Sequence, residues 1–192
     1  MRHATPKPEE LFVPDITPGA FGEILDALQF AAHKHRDQRR KDPEASPYIN
    51  HPIALANILW LEGDVHEPLV ICAALLHDTI EDTATTEAEL AERFGPVVAR
   101  IVMEVTDDKS LDKAARKRLQ VEHAPHISRE AKLVKLADKI ANLRDVATSP
   151  PAEWPLTRQR EYFDWAKRVV GGLRGAHPAL ERVFDEAYAR RP

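Results

Sequence analysis

The sequence predicts an all-α, single-domain protein. Apolar residues recur at three- and four-residue spacing through most of the chain, helix start and stop residues punctuate these runs, and alternating strand patterns are scarce. The length agrees, since 192 residues suit one domain with a core large enough to need no covalent staple.

Residues 1–18 contain Pro6, Pro8, Pro14 and Pro18 and lack the apolar run of a signal peptide. They read as a flexible N-terminal arm, with the folded domain over 19–192. Ile24, Leu25, Leu28 and Ala31–Ala32 give a first helix over Phe21–Arg36. The polar stretch Asp37–Ser46 interrupts it. Asn50 reads as an N-cap with Pro52 just inside a helix running to Leu61. Leu69–Asp82 reads as one buried helix. Thr86 and Glu89 form a capping box for a short helix ending at Gly95. Val97–Val105 is the one segment where strand and helix compete. Lys113–His123, Glu130–Val146, Thr157–Val170 and Ala179–Ala189 complete the helical series, with Pro150, Pro151 and Pro155 marking the loop before the last two.

Composition narrows the function. Hydrophobic residues make up 43% and charged residues 30%, the balance of a folded globular chain. A net charge of −4 argues against a nucleic-acid partner, because counterion release needs a surplus of Lys and Arg. A small anionic ligand needs only a local basic cluster. Apolar runs such as Leu69–Leu76 are too short to span a membrane. The single cysteine, Cys72, lies in that run, so no disulfide framework forms and a reducing, cytoplasmic compartment is expected.

Chemistry concentrates in Ala73-Ala-Leu-Leu-His77-Asp78-Thr-Ile-Glu81-Asp82. On a continuous helix each residue advances by ~100°, so His77, Asp78, Glu81 and Asp82 fall within an arc of about 140°. Three carboxylates and an imidazole beside Leu, Ile and Ala are costly unless a cation or hydrogen bonds compensate. An isolated His-Asp pair is more often a solvated helix end. Two further segments change that balance. Tyr48-Ile-Asn-His51-Pro sets a histidine at a helix start. Lys132-Leu-Val-Lys-Leu-Ala-Asp138-Lys-Ile-Ala-Asn142-Leu-Arg carries Asp138 and Asn142 at i and i+4 beside an apolar stripe of Leu136, Ile140 and Leu143. Alone, each residue has a plain structural reading. Together they supply two imidazoles and two carboxylates, a ligand set suited to a divalent transition metal that leaves positions open for water and phosphate.

His51, the pair His77-Asp78 and Asp138 match, in order, the H…HD…D pattern of the HD superfamily of metal-dependent phosphohydrolases. The stretches Arg39-Arg-Lys-Asp-Pro-Glu…Pro-Tyr-Ile-Asn-His-Pro, Ala-Leu-Leu-His-Asp-Thr-Ile-Glu-Asp-Thr and Lys-Leu-Ala-Asp-Lys-Ile-Ala-Asn-Leu-Arg resemble the hydrolase domain of RelA/SpoT proteins. The length and Val105-Thr-Asp-Asp-Lys are similar to the small free-standing SpoT-homologue hydrolases. The likeness is dense from Phe30 to Asp145 and looser through Glu161-Tyr-Phe-Asp-Trp. Ala45-Ser46 stands where that family has a glycine-containing loop.

The resemblance implies an HD-type helical bundle of about eight to ten helices. It implies a metal, Mn²⁺ in most relatives, held by His51, His77, Asp78 and Asp138; ligand chemistry alone also permits Fe²⁺, Co²⁺, Ni²⁺ or Zn²⁺. Glu81 and Asp82 would orient water and move protons, with Asn142 near the metal or ribose. The implied reaction removes the 3′-pyrophosphate of ppGpp or pppGpp, giving GDP or GTP. Arg40 and Lys41 match residues that contact the nucleotide, and Lys113, Arg158 and Tyr162 are candidates for the distal phosphates. Arg116, Lys117 and Arg118 read as the exposed side of a helix, and Cys72 as a small buried hydrophobe. An HD hydrolase for another phosphorylated nucleotide such as NADP(H) is the competing enzyme. A binding module on an inactive HD fold is disfavoured by the full set of site residues. An alarmone synthetase is disfavoured because about fifty residues after Asp145 are too few for a second catalytic domain.

Overall fold

The protein is described here by a computed structural model covering Thr17–Pro192, so the segment read as an arm lies, up to Ile16, outside the described residues. Helix α1 (Pro18–Lys34) begins inside the expected arm, because Thr17 Oγ1 accepts the Ala20 N–H and Pro18 opens the first turn. Then come α2 (Asn50–Asn57), a π-helical turn (Ile58–Glu62), α3 (Pro68–Leu76), α4 (Thr79–Asp82) and α5 (Glu87–Val105). The chain ends with α6 (Lys113–His123), α7 (Arg129–Thr148), α8 (Leu156–Gly171) and α9 (Pro178–Tyr188). Among the described residues no strand forms; Arg39 and Pro47 make one isolated antiparallel bridge.

The centre of the bundle is α3, whose Val70–Leu76 are all buried, as expected of a helix apolar all round. It packs on α1, α2, α5 and α7. Helix α7 supplies the second wall of the core through Leu133, Leu136, Ile140 and Leu143, each fully buried. Each such side chain contributes about 1.5–3 kcal/mol by leaving water. Cys72 is buried, and burial pushes its thiol up to about 12, so it behaves as an apolar group.

Three local expectations are corrected. Leu69–Asp82 is not one helix. It breaks at Asp78 (φ −100°, ψ 0°), where Thr79 Oγ1 takes the Leu76 carbonyl at 2.7 Å and His77 Nδ1 takes that of Ala74 at 2.9 Å. Asn50 does not cap α2: the cap position is Ile49, and a turn from Pro47 and Tyr48 runs directly into the helix. Thr86 caps α5 as expected, but the Glu89 carboxylate binds Lys34 at 2.8 Å instead of closing the box. Val97–Val105 is helical and continues α5 across a kink at Gly95 (φ 85°, ψ 157°) followed by Pro96. The expected glycine loop is replaced by Ala45 in the left-handed region (φ 50°), steadied by Asp42, which accepts from the Ser46 N–H and Oγ.

Candidate active site

Helices α2, α3 and α7 converge at one end of the core. His51, in the first turn of α2, His77, just past α3, and Asp138, midway along α7, bring one ligand atom each within 4.8 Å of one another. His51 Nε2 lies 3.3 Å from Asp138 Oδ1 and 4.0 Å from Asp78 Oδ2. His77 Nε2 lies 2.8 Å from Asp78 Oδ2 yet makes no aligned hydrogen bond. Asp78 thus faces the same point, although it stands outside the tightest triad.

Charge explains why these groups tolerate burial. Burial lowers the pKa of His51 and favours the neutral imidazole. For His77, burial acts downward but the Asp78 carboxylate beside it outweighs that and raises the pKa. Burial would raise Asp78 and Asp138. His77 holds Asp78 well below the usual carboxylate range, while Lys139, followed by His51, does the same for Asp138. Lys139 Nζ sits 2.8 Å from Asp138 Oδ2 and 4.5 Å from the Trp165 ring centroid. Asn142 Nδ2 donates to Asp138 Oδ1 from the next turn of α7. Tyr48 Oη donates to Asp78, and burial followed by that carboxylate raises its pKa so that it keeps its proton.

The donor set fits a divalent metal. In the neutral ring, His77 Nδ1 donates to the Ala74 carbonyl and Nε2 is left as a lone pair; that atom is buried, has no hydrogen-bond partner and points at carboxylate oxygens. A lone pair and a carboxylate oxygen at 2.8 Å repel unless a cation or proton lies between them.

Around this cluster three adjoining cavities form one cleft. The innermost, about 200 Å³, is lined by the four ligand candidates with Glu81, Lys139 and Asn142. A second, about 550 Å³, opens beside it along Arg40, Lys41, Asp82, Trp154 and Tyr162. A third, about 620 Å³, is lined by Lys113, Arg116, Lys117, Arg158, Tyr162 and Trp165. Tyr162 borders all three, and burial pushes its hydroxyl up to about 12.

Every site residue expected from the sequence lies on this cleft. Arg40 reaches Asn142 Oδ1 at 3.2 Å, bonds Asp145 and lies over the Tyr48 ring. The Glu81 carboxylate accepts from the Asp107 N–H at 3.0 Å; burial, with Asp78, Asp107 and Asp82 nearby, raises its pKa against that bond. The pKa of Lys113 is lowered by burial and then by the repulsion of Arg158, Lys41 and Arg116. One expectation fails here. Arg116 and Lys117 are not merely the outer side of α6: Arg116 lies 3.8 Å from Glu81, and Lys117 sits over the Tyr162 and Trp165 rings. Arg118 alone is exposed, paired with Glu122. The sequence reading missed Tyr48, Lys139 and Trp165 as site residues. A signal existed for Lys139, a charge beside Asp138 on a helix otherwise buried on both sides.

Comparison with known proteins agrees with this geometry. The HD domain family model matches residues 27–164, well over half of the chain. A zebrafish (Danio rerio) protein named guanosine-3′,5′-bis(diphosphate) 3′-pyrophosphohydrolase is 58% identical over 168 residues, covering 88% of this chain and 93% of its own. The human (Homo sapiens) protein of that name is 55% identical over 169 residues, covering 88% and 94%. A solved structure described as a metazoan ortholog of SpoT that hydrolyzes ppGpp superposes with a TM-score of 0.85 at 49% identity, covering 88% of this chain and 95% of that one. With an HD motif set in one cleft of a matching fold, the chain belongs to the HD-domain family, in the group of its small free-standing 3′-pyrophosphohydrolases.

Proposed function

We propose that this protein removes the 3′-pyrophosphate of guanosine 3′,5′-bis(diphosphate) and its pentaphosphate form, leaving GDP or GTP and pyrophosphate. The observation that carries this reading is the coincidence of a buried His/Asp cluster with a cation-lined cleft in a chain 55–58% identical to proteins named for that reaction. His51, His77, Asp78 and Asp138 would hold the metal, with Mn²⁺ the ion that the family resemblance implies and Fe²⁺, Co²⁺, Ni²⁺ or Zn²⁺ equally suited to the mixed imidazole and carboxylate set. When bound, the ion supplies Lewis acidity toward a phosphoryl oxygen and a lowered pKa for water.

The chain's own groups do the rest. Tyr48 and Asn142 fix the Asp78 and Asp138 carboxylates, so the ligands arrive preorganised. Glu81 lines the inner cavity with a raised pKa, a carboxylate suited to taking a proton from the attacking water and returning it to the departing oxygen. Arg40 offers a planar guanidinium to the guanine or ribose edge. Lys41, Lys113, Arg116 and Arg158 form the cationic wall for the 5′-phosphates; an anion there relieves their mutual repulsion. A cytoplasmic setting without a nucleic-acid partner is favoured by the single buried Cys72 and the net charge of −4. No helix among the described residues is long and apolar enough to cross a membrane.

The test is product identification. Mn²⁺-loaded protein incubated with ppGpp and, separately, with NADPH is expected to release pyrophosphate and GDP from the first at the higher kcat/KM. Faster release of inorganic phosphate from NADPH, with ppGpp left intact, overturns the substrate assignment.

A further inference from the structure

Asp82 differs from Glu81 in what holds it. One of its oxygens, Oδ2, accepts from Gln38 Nε2 at 2.9 Å, and the other, Oδ1, is bound by Lys109 Nζ. Both partners come from far along the chain, 44 and 27 residues from Asp82. Gln38 stands at the root of the turn that carries Arg40 and Lys41: its carbonyl accepts the Tyr48 N–H at 3.2 Å, and the Arg39–Pro47 bridge closes the turn above it. Lys109 lies in the segment between α5 and α6 that leads into Lys113 and Arg116. The same segment is tied to Glu81 through the Asp107 N–H.

Gln38 is itself aimed. His35, only 2% exposed, has its Nδ1 2.6 Å from Gln38 Oε1 and packs at a tilt against Tyr48 with ring centroids 4.8 Å apart. Because Oε1 only accepts, Nδ1 carries the proton, and the amide is locked with its NH₂ toward Asp82. A buried imidazole, an oriented amide and a lysine thereby fix both oxygens of one carboxylate on the wall of the second cavity.

We infer that Gln38 and Lys109 are positioning residues that clamp Asp82 and join the two cationic flanks of the cleft to the catalytic pair. This rests on the hydrolase reading above for its kinetic consequence but not for its structural one. Without the clamp, the carboxylate of Asp82 is free to rotate and the two basic segments lose their common anchor. Misplacement of about 1 Å at a reacting centre costs about 100-fold in rate.

The experiment compares Lys109→Met, Lys109→Arg and Gln38→Leu with the wild type, each loaded with Mn²⁺. Lys109 is exposed, so its variants are expected to fold and to retain metal content by elemental analysis. Lys109→Met and Gln38→Leu are expected to lower kcat on ppGpp by about 10- to 100-fold with KM changed less than about 3-fold, and Lys109→Arg to recover most of it. A rise in KM at unchanged kcat, or an Arg variant no better than Met, overturns the clamp. A crystal structure of Gln38→Leu gives a readout independent of substrate. Displacement of the Asp82 carboxylate is expected, and an unmoved carboxylate overturns the inference even if ppGpp proves not to be the substrate.

Discussion

Glu81 shows how the site trades stability for chemistry. Burial raises its pKa above the ordinary 4.5, and the neighbouring acids Asp78, Asp107 and Asp82 add to the effect. A carboxyl whose folded pKa is raised binds its proton more tightly when folded. Its contribution to stability is therefore present below about pH 4.5 and is lost as pH rises through the folded value. Glu81→Gln keeps an acceptor for the Asp107 N–H and removes the charge. The metal-free variant is expected to melt above the wild type near pH 7, with the gap closing toward about pH 4. Its ppGpp hydrolysis is expected to fall by about 100-fold or more. Thermal melts across pH, paired with pyrophosphate release, check both signs; a variant less stable near pH 7 contradicts the account. Lys139 illustrates the opposite strategy. Burial alone would lower its pKa, but the Asp138 carboxylate holds it raised, so a buried cation sits beside a candidate ligand.

At the scale of elements, the decisive feature is the break between α3 and α4. A helix continued through Asp78 would aim that side chain by regular ~100° steps. Instead Thr79, fully buried, satisfies the Leu76 carbonyl through its hydroxyl and lets Asp78 turn toward His77 and Tyr48. Thr79→Val preserves shape and removes that hydrogen bond. A loss of about 1 kcal/mol in denaturant unfolding is expected, together with weaker Mn²⁺ binding measured by titration calorimetry. Unchanged Mn²⁺ affinity would show that the break does not aim Asp78. The helix leading to His77 was legible from its apolar run, but its break was not. Nothing in local propensity distinguishes a helix that continues from one whose next threonine turns back on it.

At the scale of the molecule, the candidate metal cluster is where α2, α3 and α7 meet, so an ion held there would crosslink the core. With free Mn²⁺ at about 100 times its Kd, the native state gains about 2.7 kcal/mol, or roughly 5–10 °C in Tm for a domain of this size. Chelation is expected to reverse the shift, and His77→Ala to abolish it; scanning calorimetry with and without Mn²⁺ measures this. A shift that persists in His77→Ala would place the ion elsewhere.

The chain by itself determined the helical class, the order of the helices and the kinds of side chain that meet in the cleft. These follow from periodicity, caps and the chemistry that motif residues carry wherever they are placed. Only the tertiary structure decided that Tyr48, Lys139 and Trp165 stand beside the acids, that Arg116 and Lys117 face the cleft, and that Glu81 and Asp82 are held differently. Those outcomes depend on contacts between residues far apart in sequence, such as Gln38 with Asp82 and Lys109 with Asp82. Packing sets such contacts through the relative rotation and crossing of helices, which local propensity does not encode.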